Sequence, residues 1–504
     1  MYYFVNSEGT PAKLNGVDRA QVERLRIFTA NGVSAKLVSF DFSPALIENA
    51  KAAGVDADQV INLYDVLCQI DYHQSTVVKL NDLHIDGVAA NSADDQTTRF
   101  YKDGELNAQV EVDEQERVVT VRHFDDQEHQ VKVQDYSCLG YVARERTYSS
   151  EDGRTTLRQT NYYNQAGEVC LTFDYQHGRQ SQLQSIQLVL ANEVRQFDSE
   201  LQLQAYFLDT LNQHATQTVF VADRVSKAGP VLQAMTTETT KLAVIHTNHQ
   251  LEDGRINPLY NDLFAHLDLW NGLIASTVKQ VAALQQFVSS LPIYHASMSI
   301  VRDVNFDNVP KPVDHKPGTR ILMVGRISPV KQFEEGIEIF RLVHLKYPET
   351  TLDIYGDTST TVEADHDYYL KLLALVQRLE LEDCIHFRGY VADLEPLFDH
   401  YDALLCTSKR EGTALVLNEA MSRGVPVVSY NFDYGPDEFV ENGGNGYLVP
   451  VGNRELAAKQ LGGLLKHRSW QRMMSRNAFK SARRYSQTAV WRMWQKVIDA
   501  LGLR

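Results

Sequence analysis

Between residues 318 and 480 the chain alternates regularly between short apolar runs and longer stretches with apolar residues at helical spacing. The apolar runs fall at 321–324, 352–355, 384–387, 403–406 and 426–429. Strand-length runs separated by helix-length stretches predict parallel strands joined by crossover helices, and so a doubly wound α/β domain. Ligands of such sheets collect beyond the carboxyl ends of the strands, which directs attention to the loops that follow each run.

The rest of the chain has three further textures. Residues 1–75 open with an apolar strand at 2–5, a loop through Asn15-Gly16-Val17, a helix at 20–30 and a strand at 35–40, a βαβ beginning. Residues 76–203 alternate polar and apolar positions, with turn signals at Asp103-Gly104, Asp152-Gly153, Ala166-Gly167 and His177-Gly178. That rhythm predicts an antiparallel meander, with strands at 117–122 and 169–174. Within it, residues 93–135 hold 12 acidic and 5 basic residues, a net of −7, and read as a solvated scaffold or as an acceptor-docking or oligomerisation surface. Residues 204–300 return to α/β texture, with buried parallel strands at 217–222 and 242–245. The predicted organisation is therefore residues 1–75 with 204–317 as an N-terminal Rossmann-like domain, and 76–203 as a β-rich insertion in it. Residues 318–480 form a C-terminal Rossmann-like domain, and 481–504 a terminal helix returning to the first domain.

A length of 504 residues accommodates two or three domains, and a net charge of −16 argues against a general nucleic-acid binder. The five cysteines, Cys68, Cys138, Cys170, Cys384 and Cys406, are scattered and form no C-x-x-C pair. They indicate neither a zinc site nor a disulfide framework, and a reducing cytoplasm suits them. The N-terminus lacks the basic and apolar regions of a signal peptide, and no run is long enough to span a bilayer. Membrane contact, if any, is expected from the surface.

Three segments carry chemistry. Glu411 and Glu419 frame a strand-to-helix loop, with Glu411 in the loop and Glu419 about two turns into the helix, which stops near Gly424 and Pro426. The amides of Thr413, Ala414 and Leu415 would face an anion at the helix N-terminus, and the two carboxylates would accept from sugar hydroxyls. Two glutamates at this spacing are also common as solvated surface charges. Gly325-Arg326-Ile327-Ser328-Pro329-Val330-Lys331 follows a strand, and Ser328-Pro329 would start the next helix. It lacks a Walker A ending, yet Arg326 and Lys331 would hold a diphosphate there. Val244-Ile245-His246-Thr247-Asn248-His249 also leaves a strand; without an acidic or cysteine partner its histidines suit a cleft better than a metal. Asn442-Gly443-Gly444-Asn445-Gly446-Tyr447-Leu448-Val449-Pro450 is a glycine-rich turn before a short strand, and by itself signals only a loop.

Together Glu411-x7-Glu419, Gly325-Arg326 with Lys331, His246-x-x-His249 and Asn445-Gly446-Tyr447-Leu448-Val449-Pro450 resemble the retaining GT-B glycosyltransferases of family 4. The opening Asn15-Gly16-Val17-Asp18-Arg19-Ala20-Gln21 and the β-rich insertion are similar to one bacterial branch. That branch holds wall teichoic acid α-glycosyltransferases and the enzymes that glycosylate serine-rich adhesins. The resemblance covers essentially the whole chain. It implies an α/β GT-B fold, with two Rossmann-like doubly wound domains and an antiparallel insertion in the first.

The resemblance also implies roles. Glu411 would bind donor-sugar hydroxyls and Glu419 the ribose of a uridine nucleotide. Arg326 and Lys331 would hold the diphosphate with the amides of Thr413, Ala414 and Leu415. His249 would sit beside the transferred sugar, Gly16 near the phosphates, and Arg388-Gly389-Tyr390 near the base. Where many relatives have Gly-Phe-Gly after the first glutamate, this chain has Gly412-Thr413-Ala414, so donor preference does not carry over. The expected reaction is a metal-independent, retaining transfer of glucose or N-acetylglucosamine from a UDP-sugar, with no cofactor. The expected acceptor is a teichoic acid-type polymer or, alternatively, Ser/Thr of a serine-rich protein. Expected partners are a hetero-partner glycosyltransferase or a second copy through the insertion, with no nucleic acid. A non-catalytic GT-B partner and a nucleotide-sugar epimerase are the rival classes. Residues 466–496 carry nine Lys/Arg and no Asp/Glu, with Trp470, Trp491 and Trp494. They would attract an anionic polymer or lipid surface, or form amphipathic helices that pack Trp491 and Trp494 inward with their cations facing water. The second reading fits better, and the expected location is cytoplasmic, with peripheral contact at the inner face of the membrane.

Overall fold

A computed structural model of the protein describes residues 1–504 except 8, 10, 92–95, 152–153, 177–180, 192, 216, 252, 308–318, 359–362 and 504. The chain divides into two compact units, one of Met1–Ala12 with Ser34–Lys241, the other of Lys13–Val33 with Leu242–Arg504.

In the first unit the strands Val219–Ala222, Tyr2–Ser7, Ala35–Ser39 and Val60–Asn62 lie side by side in that order, all parallel. Their apolar side chains are buried on both faces, which is why these segments read as continuous apolar runs rather than alternating ones. The same unit carries a ten-stranded antiparallel sheet in strict chain order, from Val88–Asn91 to Val194–Phe197. The Asp103-Gly104 turn has positive φ at both residues, 54° and 93°, as a two-residue hairpin of this twist requires. Gly167 closes another turn at φ 80°. The predicted turns at Asp152-Gly153 and His177-Gly178 lie outside the described residues.

Alternation divides this sheet into two faces. Thr160, Phe173, Ile186 and Phe197 are in register and buried. The neighbouring row, Gln134, Glu145, Asn161, Thr172, Gln187 and Gln196, is in register on the opposite face. The buried face is anchored within the unit by Tyr162, which stacks on Tyr64 at 4.3 Å and meets the edge of Phe42.

The second unit holds two parallel arrays. Thr240–Ile245, Gly272–Ala275 and Ile293–His295 form one. The other has six strands in the order Ile385–Gly389, Thr351–Tyr355, Arg320–Val324, Ala403–Cys406, Val427–Tyr430 and Gly446–Val449. Strand order reverses between Arg320–Val324 and Ala403–Cys406, and a doubly wound sheet opens its ligand crevice at such a point. The terminal helix Gln487–Ala500 packs against the first helix, Gly16–Ala30. Trp494 is fully buried, with Phe28 edge-on at 5.3 Å and the Arg24 guanidinium 5.4 Å from its ring centre. Asn445 and Gly446 are structural: the Asn445 amide donates to Phe439 O and Ser481 Oγ, and a Cβ at Gly446 would strike the Val427 backbone. Among the described residues no helix is long and apolar enough to cross a membrane.

Three local expectations change. Gly16 is not in a loop but opens the first helix. Asn15 caps it, accepting from the amides of Val17 (2.9 Å) and Asp18 (3.2 Å), and the Asp18 carboxylate accepts from the Asn15 amide in return. The helix expected at Ser328-Pro329 begins only at Phe333, after a 3₁₀ turn at Pro329–Lys331 and a left-handed Gln332. The Thr407 hydroxyl lies 3.1 Å from Lys331 O and 2.8 Å from Gln332 O, tying the carbonyls of the turn to the neighbouring strand end. Finally, the helix after Glu411 spans Leu415–Ser422, so Glu419 lies one turn in rather than two.

Candidate active site

The strand Ala403–Cys406 is fully buried, and the chain leaves it through Thr407 and Ser408 toward Glu411. Arg320–Val324 leaves the adjacent position through Gly325 toward Lys331. The reversal of strand order thus brings two segments separated by some eighty positions in the chain to one crevice. There Lys331 Nζ donates to Glu411 Oε1, and the Ser408 hydroxyl donates to the same oxygen at 2.8 Å. Among the described residues Glu411 Oε2 has no hydrogen-bond partner, so one oxygen is fixed and the other is left to accept.

Behind Glu411 the backbone closes on two neighbours. Glu411 N donates to Asp433 O and Tyr434 N to Glu411 O, at 3.3 and 2.9 Å. Gly412 lies against the His246 carbonyl, where a Cβ would overlap the oxygen. Ala414 is left-handed at φ 54° and begins the helix without a side-chain cap. Among the described residues the amides of Thr413, Ala414 and Leu415 enter no backbone hydrogen bond. An uncapped helix start with free amides is a ready anion site.

Glu419 faces a cleft lined also by Arg19, Leu415, Ser299, Arg302 and Glu395. Arg19 lies 3.6 Å from the Glu419 carboxylate, whose charge raises the guanidinium pKa above its usual value against the opposing effect of burial. Gly16 is beside Leu415, 3.8 Å from where its Cβ would be. Asn418, fully buried, donates to Ser299 Oγ at 2.9 Å and fixes the helix under the cleft.

His249 is 1% exposed, enclosed by aromatic rings, with Tyr434 stacked at 6.1 Å and 12° and Phe264 and Phe287 at 6.5 and 6.1 Å. Neither ring nitrogen has a hydrogen-bond partner among the described residues, and burial lowers its pKa, so the ring is neutral at pH 7.

The remaining predicted residues stand apart from the Lys331–Glu411 pair in their contacts. Arg326 is 67% exposed, and its ion pair, at 3.7 Å, is with Asp365. Arg388 donates to Asp353 at 2.8 Å, a carboxylate that also accepts from Tyr401. Tyr390 lies under the Lys13 ammonium, 5.7 Å from its ring centre, and Lys13 is paired with Asp357. Sequence reasoning passed over Ser408, Arg19 and Tyr434. Arg19 had a signal: as the fourth residue of a capped helix it is held where the helix begins. Ser408 had a weaker one, its place just beyond a buried strand. Among the described residues no group of three or more His, Cys, Asp or Glu side chains could hold a metal ion.

With this geometry in view, the likeness to known proteins is specific. Residues 306–481 match the family model described as glycosyl transferases group 1. The UDP-N-acetylglucosamine–peptide N-acetylglucosaminyltransferase GtfA subunit of Streptococcus gordonii is 24% identical over 511 residues, covering 96% of each chain. The poly(glycerol-phosphate) alpha-glucosyltransferase of Bacillus subtilis is 22% identical over 524 residues, covering 99% of this chain and 75% of that one. The pneumococcal O-GlcNAc transferase GtfA, solved in complex with UDP and GlcNAc, superposes with a TM-score of 0.84 at 19% identity, covering 99% of both. The chain has a GT-B fold, with two Rossmann-like sheets and an antiparallel β-rich insertion, and its residues 306–481 carry a glycosyl transferases group 1 domain.

Proposed function

We propose that the protein transfers a hexose from a UDP-sugar to a hydroxyl of a macromolecular acceptor with retention at the anomeric carbon. The observation that supports this most is the Glu411 carboxylate, held through one oxygen by Lys331 and Ser408 and open at the other, beside a helix start with three free amides. Glu411 Oε2 takes a hydroxyl of the donor sugar. Lys331 and the amides of Thr413, Ala414 and Leu415 take the diphosphate, with Arg326 reaching in from its exposed position. Negative charge builds on the leaving UDP as the glycosidic bond breaks, and preorganised donors of this kind are each worth about 3–4 kcal/mol. In this reading no metal is needed, because cations and amides of the chain carry the neutralisation. The acceptor proton passes to a leaving-phosphate oxygen on the same face. Glu419 takes the ribose hydroxyls, Gly16 lies near the phosphates, and Arg388 and Tyr390 flank the base. His249 stays neutral and apolar-walled, and bounds the sugar rather than titrating.

Both acceptor types known among the relatives fit this chemistry: a glycerol-phosphate polymer and a peptide. One observation favours the peptide. The outer row of the ten-stranded sheet, Gln134, Glu145, Asn161, Thr172, Gln187 and Gln196, is amides, a hydroxyl and one carboxylate, and Lys132, the cation beside it, is already paired with Glu145 at 3.8 Å. It suits an extended, hydroxyl-rich chain. The relative is a "subunit", and by analogy a second glycosyltransferase chain is the expected partner. We read the reaction as cytoplasmic, because nucleotide-sugar donors are supplied there. The test is incubation with labelled UDP-glucose or UDP-N-acetylglucosamine and either poly(glycerol phosphate) or a Ser/Thr-rich peptide, with the product anomer read by NMR. The reading expects an α-linked product, on the peptide in preference; a β-linked product rejects retention.

A further inference from the structure

The helix Arg468–Ala482 buries Met474, Ala478, Phe479 and Ala482 and turns its other side to solvent. On that side lie Trp470 and Met473, 49% and 44% exposed, together with Arg472, Arg476 and Lys480. The three cations recur every four residues and so form one stripe along the helix. Among the described residues they have no ion-pair partner, whereas Arg302, Arg423 and Arg454 of the same unit are each paired with a carboxylate. Like charges at this spacing repel, a cost to the isolated helix that an external anion would relieve. The charge distribution is marked: nine Lys/Arg and no Asp/Glu over residues 466–496 of a chain whose net charge is −16.

We propose that this helix face is a docking surface for an anionic lipid bilayer. Cations alone would serve a soluble polyanion equally well. The two large apolar side chains among them are what a bilayer adds a use for: Trp470 seats at the headgroup boundary, Met473 dips beyond it, and the arginines and lysine stay with the phosphates. Trp491 and Trp494, by contrast, are turned inward onto the first helix. The interaction is peripheral, reversible and salt-sensitive. It would hold the enzyme at a membrane from the surface.

The molecule carries its own probe. Trp270, Trp491 and Trp494 are buried, so Trp470 is the tryptophan whose emission responds to a surface event. The full-length protein is mixed with phosphatidylglycerol/phosphatidylcholine vesicles, with phosphatidylcholine vesicles, or with soluble polyphosphate. Flotation and tryptophan emission are then read. The expected result is flotation with the anionic vesicles only, with a blue shift that Trp470→Phe removes while flotation persists. At about 1 kcal/mol per cation near an anionic surface, the triple variant Arg472→Gln/Arg476→Gln/Lys480→Gln should lose about 100-fold in partitioning. Its melting temperature and its transfer to a soluble acceptor should be unchanged, because the three side chains face solvent. Absence of flotation with anionic vesicles, flotation that the triple variant leaves intact, or polyphosphate binding as tight as vesicle binding without a blue shift each overturns the proposal.

Discussion

Glu411 and Lys331 meet at the point where strand order reverses in the six-stranded sheet, with the lysine and the Ser408 hydroxyl both on Oε1 of the carboxylate. The relationship makes the two partners unequal. If Lys331 also holds the donor diphosphate, Lys331→Ala removes that cation together with the anchor of Glu411, and should lower kcat by about 10²–10³-fold. Ser408→Ala removes one charge-assisted hydrogen bond and should cost about 10-fold or somewhat more. Steady-state kinetics on the two variants, with melting temperatures to confirm folding, check the order of these effects.

Glu419 faces the cleft and has Arg19 beside it at 3.6 Å. If it grips ribose, Glu419→Ala should weaken UDP binding by about 10–100-fold, the range for losing hydrogen bonds to a charged group. Calorimetry with UDP and with 2′,3′-dideoxy-UDP separates the contact from a general disturbance. The analogue should bind wild type and variant alike.

Burial lowers the His249 pKa from its ordinary 6.5. Below pH 6.5 the unfolded chain therefore takes up a proton that the folded chain refuses. Stability contributed by the neutral ring is complete above about pH 6.5 and is lost as pH falls toward the folded-state value. Denaturant titrations from pH 8 to pH 5 should show this decline in the wild type and a shallower one in His249→Gln.

Gly412 touches the carbonyl of His246, and backbone cannot move aside as a flexible side chain can. Gly412→Ala should therefore destabilise the protein by about 1–3 kcal/mol, the usual cost of overpacking, and displace Glu411 enough to abolish transfer. Thermal unfolding and a transfer assay on the same preparation test both consequences.

The parallel strands of both units were legible because a strand buried on both faces must be apolar throughout. The strands Ile385–Gly389 and Val427–Tyr430 start one residue later than expected: the Cys384 amide donates back to Leu381 O in the preceding turn, and Pro426 has no N–H to give to a ladder. The Glu411 loop was legible through its position between a buried strand and a helix. What sequence did not disclose is pairing. Nothing local to Ser408 or Arg19 says that each would meet a glutamate, since those contacts arise from strand order and from the packing of the first helix. The late start of the helix at Phe333 was hidden for the same reason: Thr407, distant in the chain, holds the turn before it. The Arg326–Lys331 pair reads as two equal cations in sequence, yet one is drawn in to Glu411 and the other is exposed toward Asp365.

The most direct test of the catalytic reading is a paired measurement on one preparation: UDP binding by calorimetry and turnover of a labelled UDP-sugar, for wild type and Glu411→Gln. The geometry predicts that wild type binds UDP and releases or transfers the sugar. Glu411→Gln should retain UDP binding and lose turnover by at least about 100-fold, as the loss of an interaction made in the transition state requires. A wild-type chain that neither binds UDP nor turns over either donor, or a Glu411→Gln variant with unchanged turnover, would contradict it.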